Sequence, residues 1–175
     1  MAWKDSEPLD DVVRPGLRAV FCGTALSAVS AEARAPYAGP GNKFWPTLHA
    51  VGLTPRQLQP TEFRELVRWD LGQTDLCKTR SGSDLEIGRG GFDVPRLVGL
   101  MERFQPAWLA FNGKRSAQEA LGVKRVEYGP QQLKLGGVAT YVLPSTSGAA
   151  SGNWDVGWWR RFAGLIGEPP QTPAG

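Results

Sequence analysis

An apolar run, Leu17-Arg18-Ala19-Val20-Phe21-Cys22, ends directly on Gly23-Thr24-Ala25-Leu26-Ser27, and no other stretch restricts the fold of this chain as strongly. A short apolar segment of this kind suits a strand buried on both faces, as in a parallel sheet covered by helices. The turn that follows it is small, so backbone can approach whatever lies beyond the strand's carboxyl end. A second such run, Trp108-Leu109-Ala110-Phe111, is bounded by Pro106 and Gly113.

Helical patterns separate the strand candidates. Asn42 is placed to cap a helix reaching Val51, Thr54-Pro55 reads as a further helix start, and Thr61 precedes the stripe Phe63, Leu66, Val67. Gly72 is expected to stop that helix, and the stretch between Gln73 and Phe92, with four glycines, reads mostly as an ordered surface loop. Val94, Leu97, Val98, Met101 and Phe104 recur at helical spacing up to Pro106, and Lys114 to Leu121 is a short helix. Gly136-Gly137 sits between two alternating runs, 132–135 and 138–143, and is the strongest hairpin signal. Trp154, Trp158, Phe162, Leu165 and Ile166 form one face of a last helix.

This alternation predicts an α/β fold, a three-layer α/β/α domain with a central, mostly parallel sheet. The domain spans 15–166, between an acidic N-terminal extension, 1–14, and a flexible C-terminal tail, 167–175. Ligands of such sheets collect beyond the strands' carboxyl ends, so the small-residue segments 23–41 and 144–152, each following a strand, are expected to meet and form the site.

Composition narrows the partners. No apolar run is long enough for a membrane span and no secretion signal opens the chain, so a cytoplasmic location is expected. Lys and Arg exceed Asp and Glu by 20 to 17, although Asp5, Glu7, Asp10 and Asp11 crowd the first eleven residues, so the body is more basic than the total. That balance favours a polyanion. Two cysteines, Cys22 and Cys77, and one histidine, His49, cannot build a four-thiolate cluster or a zinc site, and no metal is expected.

Motifs distributed from Pro15 to about Ile166 carry a family resemblance. Pro15-Gly16-Leu17-Arg18-Ala19-Val20-Phe21-Cys22-Gly23, Asn42-Lys43-Phe44-Trp45, Val51-Gly52-Leu53-Thr54-Pro55, Gln105-Pro106-Ala107, Asn112-Gly113-Lys114, Tyr128-Gly129 and Val142-Leu143-Pro144 follow in the order and at spacings similar to those of bacterial mismatch-specific uracil DNA glycosylases. The resemblance, to the mismatch-specific uracil/thymine DNA glycosylase family, implies a uracil-DNA glycosylase-like fold. It also implies hydrolysis of the N-glycosidic bond of uracil and other mismatched or damaged bases in DNA, the first step of base excision repair, without metal or organic cofactor. The base would be flipped out of the duplex into a pocket.

On this resemblance Tyr37 falls at the stacking aromatic, and Asn42 with Gly23, Ala25, Ser27 and the backbone between them would read the base edge. Ala25 stands where the family has its water-holding asparagine. The segment Ser145, Thr146, Ser147, Gly148, Ala149, Ala150, Ser151 matches the loop that grips phosphates, with Ala149 in place of the wedge leucine and Ser151 in place of an arginine. Lys43 is a further phosphate candidate, with Lys114, Arg115, Arg160 and Arg161 behind it. The hydrolysis is expected to be monofunctional because Lys43 and Lys114 lie outside both small-residue loops.

With the asparagine absent, the hydroxyl of Thr24 or a carboxylate must orient the water. The acids in or beside the glycine-rich segment are Asp75, Asp84, Glu86 and Asp93. Asp93 is the first candidate, since it stands where relatives keep small residues before a helix. Its other reading is a plain N-cap for the helix at Val94-Pro95. Asp84 is the reserve. Two rival functions stay open: a catalytically inactive module that binds mismatched or abasic DNA, which Ala25 favours, and a base- or nucleotide-binding protein unrelated to DNA.

Overall fold

The computed structural model describes residues 9–167, without the side chains of Asp84 and Arg89. Positions 1–8 of the acidic extension and 168–175 of the tail lie outside the described residues. Four parallel strands form the sheet's body: β1 (Ala19–Gly23), β2 (Leu71–Asp75), β3 (Trp108–Asn112) and β5 (Ala139–Leu143), with the two-residue β4 (Gly129–Pro130) antiparallel at one edge. The order is β2-β1-β3-β5-β4. The chain leaves β1 toward one side and returns for β3 on the other, so the crevice where a ligand collects opens at the carboxyl ends around β1.

The predicted three layers are present, and the strand period of two explains them. Ala19 and Phe21 of β1, Ala110 of β3, and Tyr141 and Leu143 of β5 face one core, filled by α2 (Phe44–Ala50), a 3₁₀ helix (Pro60–Trp69) and α6 (Val156–Ile166). Val20 and Cys22, Leu109 and Phe111, and Val142 face the other, filled by α4 (Val94–Phe104) and α5 (Lys114–Leu121). Phe21, stacked on Trp159 and edge-on to Phe44 and Phe162, ties the first core to the central strand.

Several local expectations need correction. Thr54 opens no helix: its hydroxyl donates to the Arg56 carbonyl instead of accepting from a helical N–H. The helix before Gly72 ends three residues sooner, with Asp70 in the left-handed region, and Leu71–Asp75 is a fully buried strand rather than the beginning of a surface loop. Its polar Gln73-Thr74-Asp75 hid it from hydrophobic patterning. The segment 23–41 holds a helix, α1 (Ala28–Ala33). Gly136 and Gly137 form the expected turn with both φ positive, but Leu135 and Val138 make only an isolated bridge, and the antiparallel partner of β5 is β4. On α6 the fully buried face is Trp159 and Phe162, with Trp158 half-buried and Leu165 half-exposed.

Residues 9–14, assigned by composition to the extension, belong to the body. Val12 bridges Gln73 through paired backbone bonds, and Leu9 and Val12 are buried. Gly72 permits this approach: a Cβ there would stand 2.2 Å from the Val12 carbonyl oxygen. Gly72→Ala should therefore destabilise by about 1–3 kcal/mol. Gly99→Ala, with open space on the α4 surface, should stabilise by up to about 1 kcal/mol. Urea melts of the two variants check both signs, and equal midpoints would refute the close-approach argument.

Candidate active site

Gly23 ends β1, Asp75 ends β2 and Asn112 ends β3, and with the segment after β5 they surround one cavity of about 780 Å³. Register sets the first contact. Gly23 pairs with Asp75 across the parallel ladder, and the missing side chain of Gly23 is what admits the carboxylate. A Cβ on Gly23 would lie 2.7 Å from Asp75 Oδ1 and 3.2 Å from the Tyr37 hydroxyl.

Tyr37 is delivered by a folded-back first loop. Ser27 caps α1, its Oγ accepting from Ser30 N at 3.1 Å and donating to Ser30 Oγ, which in turn accepts from Ala38 N at 3.0 Å. Trp45 Nε1 donates to the Pro36 carbonyl at 3.0 Å. Between these anchors Tyr37 adopts φ +57°, a left-handed conformation uncommon for a bulky residue. Its ring stacks on Phe44, centroids 4.0 Å apart and 29° between planes. Its buried hydroxyl has no partner at full hydrogen-bond geometry among the described residues, and burial, reinforced by the charge of Asp75, pushes the phenol well above its usual range against the opposing pull of the Asn112 and Gln73 amides.

Asp75 is 4% exposed. Its Oδ2 accepts from Gln73 Nε2 at 3.1 Å, and no ion pair among the described residues reaches it. Two cations stand behind it, but both serve Asp11: Arg96 Nη1 at 2.7 Å and Lys78 Nζ at 3.1 Å. Arg96 turns its other nitrogen to Thr74 Oγ1 and to the backbone oxygen of Asp75. Burial therefore dominates, and lifts the carboxyl from 3.8 to about 6, against the opposing pull of Lys78 and the Gln73 hydrogen bond.

The second loop is pinned from below. Asn112 Oδ1 accepts from Thr146 N at 3.0 Å, Asn112 Nδ2 donates to Thr146 Oγ1 at 2.9 Å, and the Thr146 carbonyl accepts from Lys43 N at 2.9 Å. Trp159 Nε1 holds the Pro144 carbonyl at 3.1 Å. Ser147 Oγ accepts from Ala149 N and opens a 3₁₀ turn, Gly148–Asn153.

The two loops singled out in the sequence do meet. Gly23, Thr24, Ala25, Ser27, Tyr37, Asn42, Ser145, Ser147, Ala149 and Ala150 all line the cavity. Asn42 also accepts from Phe44 N at 3.0 Å, at the start of α2. Lys43, Gly148 and Ser151 lie beside the lining as one chain of contacts, Lys43 Nζ to Ser151 Oγ at 3.0 Å and Ser151 Oγ to the Gly148 carbonyl at 2.7 Å. Asp93 is exposed and off the lining. Its Oδ1 caps α4 by accepting from Arg96 N at 3.1 Å. Asp84 opens a short helix, α3 (Asp84–Ile87), and nothing is described of its side chain. Lys114, set outside the site on sequence position, does line the cavity, with its Nζ over the Tyr128 ring at 4.6 Å. Asp75 was visible in the sequence only as one acid among four. The signal for it was an acid ending a strand, and the strand itself went unread.

No group of three or more His, Cys, Asp or Glu side chains among the described residues could hold a metal ion. No helix among them is long and apolar enough to cross a membrane.

The sequence model of the Uracil DNA glycosylase superfamily matches residues 11–161. Among solved structures, the fold is similar to that of a candidate uracil DNA glycosylase from Methanosarcina acetivorans, determined in solution by NMR. The TM-score is 0.61 at 21% identity, covering 93% of this chain and 99% of that one.

The raised pKa of Asp75 has a thermodynamic signature. Its folded value, about 6, exceeds the 3.8 of the unfolded chain, so its stabilising contribution is complete below pH 4 and is lost as pH rises through 6. Removing the charge should recover roughly 2–3 kcal/mol at pH 8. Asp75→Asn is thus expected to melt above the wild type at pH 8 and to converge with it near pH 4. A stability difference independent of pH, or a less stable variant at pH 8, would contradict the assignment of a costly buried charge.

Proposed function

The chain belongs to the uracil DNA glycosylase superfamily, and from that premise we propose that it is a DNA glycosylase hydrolysing the N-glycosidic bond of uracil, including uracil mispaired with guanine, and that it is monofunctional because the one lysine on the cavity lining, Lys114, turns its amine over the Tyr128 ring. The observation that carries this reading is the buried carboxylate of Asp75, in no ion pair among the described residues, beside the buried hydroxyl of Tyr37, on the floor of a cavity walled by both small-residue loops.

The reaction breaks the bond between the sugar's C1′ and the base nitrogen, the electron pair leaving with the base, while a water oxygen bonds to C1′. Positive charge develops on the sugar and negative charge on the base. Asp75, ionised above about pH 6, accepts the water's proton and faces the cationic sugar, where a low local dielectric strengthens the attraction. Tyr37 remains neutral because its phenol is pushed up, so its O–H is a donor for a carbonyl of the departing base. Ala25 and the alanines at 149 and 150 keep the walls small enough to admit a flipped nucleotide. Asp93, in this reading, serves α4.

A labelled duplex carrying uracil opposite guanine, treated with alkali after incubation, tests the proposal. The wild type should leave an alkali-cleavable site, with a rate that climbs through about pH 6 and then levels. Asp75→Asn and Asp75→Ala should lose about 10²–10⁴-fold, the usual worth of a positioned base, while Asp93→Ala stays close to wild type. Full activity in Asp75→Asn, or loss only in Asp93→Ala, would overturn the assignment of the acid. Tight, salt-sensitive binding by the wild type without cleavage would favour the inactive recognition module.

A further inference from the structure

Leu85 is 93% exposed, far beyond the other exposed large apolar side chains among the described residues, Val29, Leu133 and Leu165, which are about half covered. It also stands on the lining of the cavity, which it shares with Ala149 and Ala150 of the second loop. We propose that Leu85 is the wedge of this protein, the side chain that enters the duplex stack and occupies the hole left by the flipped nucleotide. The proposal rests on the glycosylase reading above and names the device by which that site handles duplex DNA.

The local structure presents Leu85 outward by construction. Ile87, two residues on, is buried beside Cys77, and two helical residues rotate a side chain by about 200°. Burying Ile87 therefore turns Leu85 away from the protein. Glu86 also lines the cavity, but its carboxylate is folded back over Gly82, where a Cβ would come within 2.3 Å of Oε2. The turn is fixed at both ends. Ser83 Oγ accepts from Glu86 N, and Ile87 N donates to the Ser83 carbonyl at 3.0 Å. Gly82 N donates to the Leu26 carbonyl at 2.9 Å, which clamps the base of the turn to the first loop of the site.

Extrusion of a base leaves an apolar gap between stacked neighbours, and a branched aliphatic side chain inserted there replaces lost stacking contacts. The second loop has only methyl groups at 149 and 150 and cannot fill such a gap. Leu85 supplies the missing bulk from a separate segment of the lining. Lys114 and Arg115 line the same cavity and give the backbone of the strand a positive contact.

The test compares duplex with single-stranded oligonucleotides carrying the same uracil, since a wedge has nothing to fill in a single strand. Leu85→Ala should lower the duplex-to-single-strand ratio of kcat/KM by about ten- to a hundredfold, the worth of one buried aliphatic side chain, and Leu85→Met should restore most of it. A 2-aminopurine placed beside the uracil should brighten on binding the wild type and stay dim with Leu85→Ala. An unchanged ratio, or equal loss on both substrates, overturns the wedge. If the wild type cuts neither substrate, the glycosylase reading fails separately, and the fluorescence still decides: brightening lost in Leu85→Ala supports the wedge, while equal signals, or none with either protein, overturn it.

Discussion

A carboxylate taken out of water must be paired, neutralised or tolerated at a cost, and the end of this sheet is arranged around tolerating one. Two cations lie close enough to quench Asp75, yet Asp11 holds both. Arg96 and Lys78 each spend a charge on its oxygens, and Arg96 offers Asp75 only a bond to its main chain. The acid is left with one neutral amide, that of Gln73. Such an arrangement keeps the charge expensive and the carboxyl basic, where a direct ion pair would have made it inert. It also explains why the segment carrying Asp11 is sewn to β2 by the Val12–Gln73 bridge: without that bridge the counter-charge would not be held in place.

Around this acid the walls are loops in sequence and extensions of the core in structure. Thr146 is bonded at its N–H, its hydroxyl and its carbonyl, to Asn112 and to the start of α2. Tyr37 rests on Phe44, Phe44 against Phe21 and Phe21 on Trp159, so one aromatic chain runs from the cavity to the middle of the first core. The side chains that face a ligand therefore inherit the rigidity of the sheet, which is what a site needs if it is to spend no free energy ordering itself.

How much of this was legible follows from where the hydrophobic signal was strong. β1, β3, α4 and α5 were read nearly to the residue because apolar periodicity, Pro106 and Gly113 mark them. The meeting of the two loops followed from parallel topology alone. β2 was unreadable because its inward residues include Gln73, Thr74 and Asp75, whose burial depends on partners from distant segments: Asp11, Arg96 and the glycine at 23. The same gap concealed the acid, since a carboxylate at a strand's carboxyl end draws notice only once the strand is known. Asp93 drew notice instead because the resemblance puts small residues at its position, whereas the local pattern of a helix start gave its plain role as a cap. The exposure of Leu85 has no sequence signature at all, as it depends on Ile87 being the residue that turns inward.

The glycine at position 23 and the acid at 75 become one fact when the ladder is considered. Neighbouring strands lie about 4.8 Å apart, and Gly23 is paired with Asp75, so a side chain rising from the end of β2 reaches the volume that the loop after β1 would otherwise fill. At the paired strand ends only one of the two positions can carry a side chain, because the carboxylate lies against Gly23, where a Cβ would come within 2.7 Å of it. Glycine at 23 is then the complement of an acid at 75. A carboxylate at a strand end has fixed geometry, and the fold accepts for it a desolvation penalty in stability that the sheet's two cores are large enough to carry.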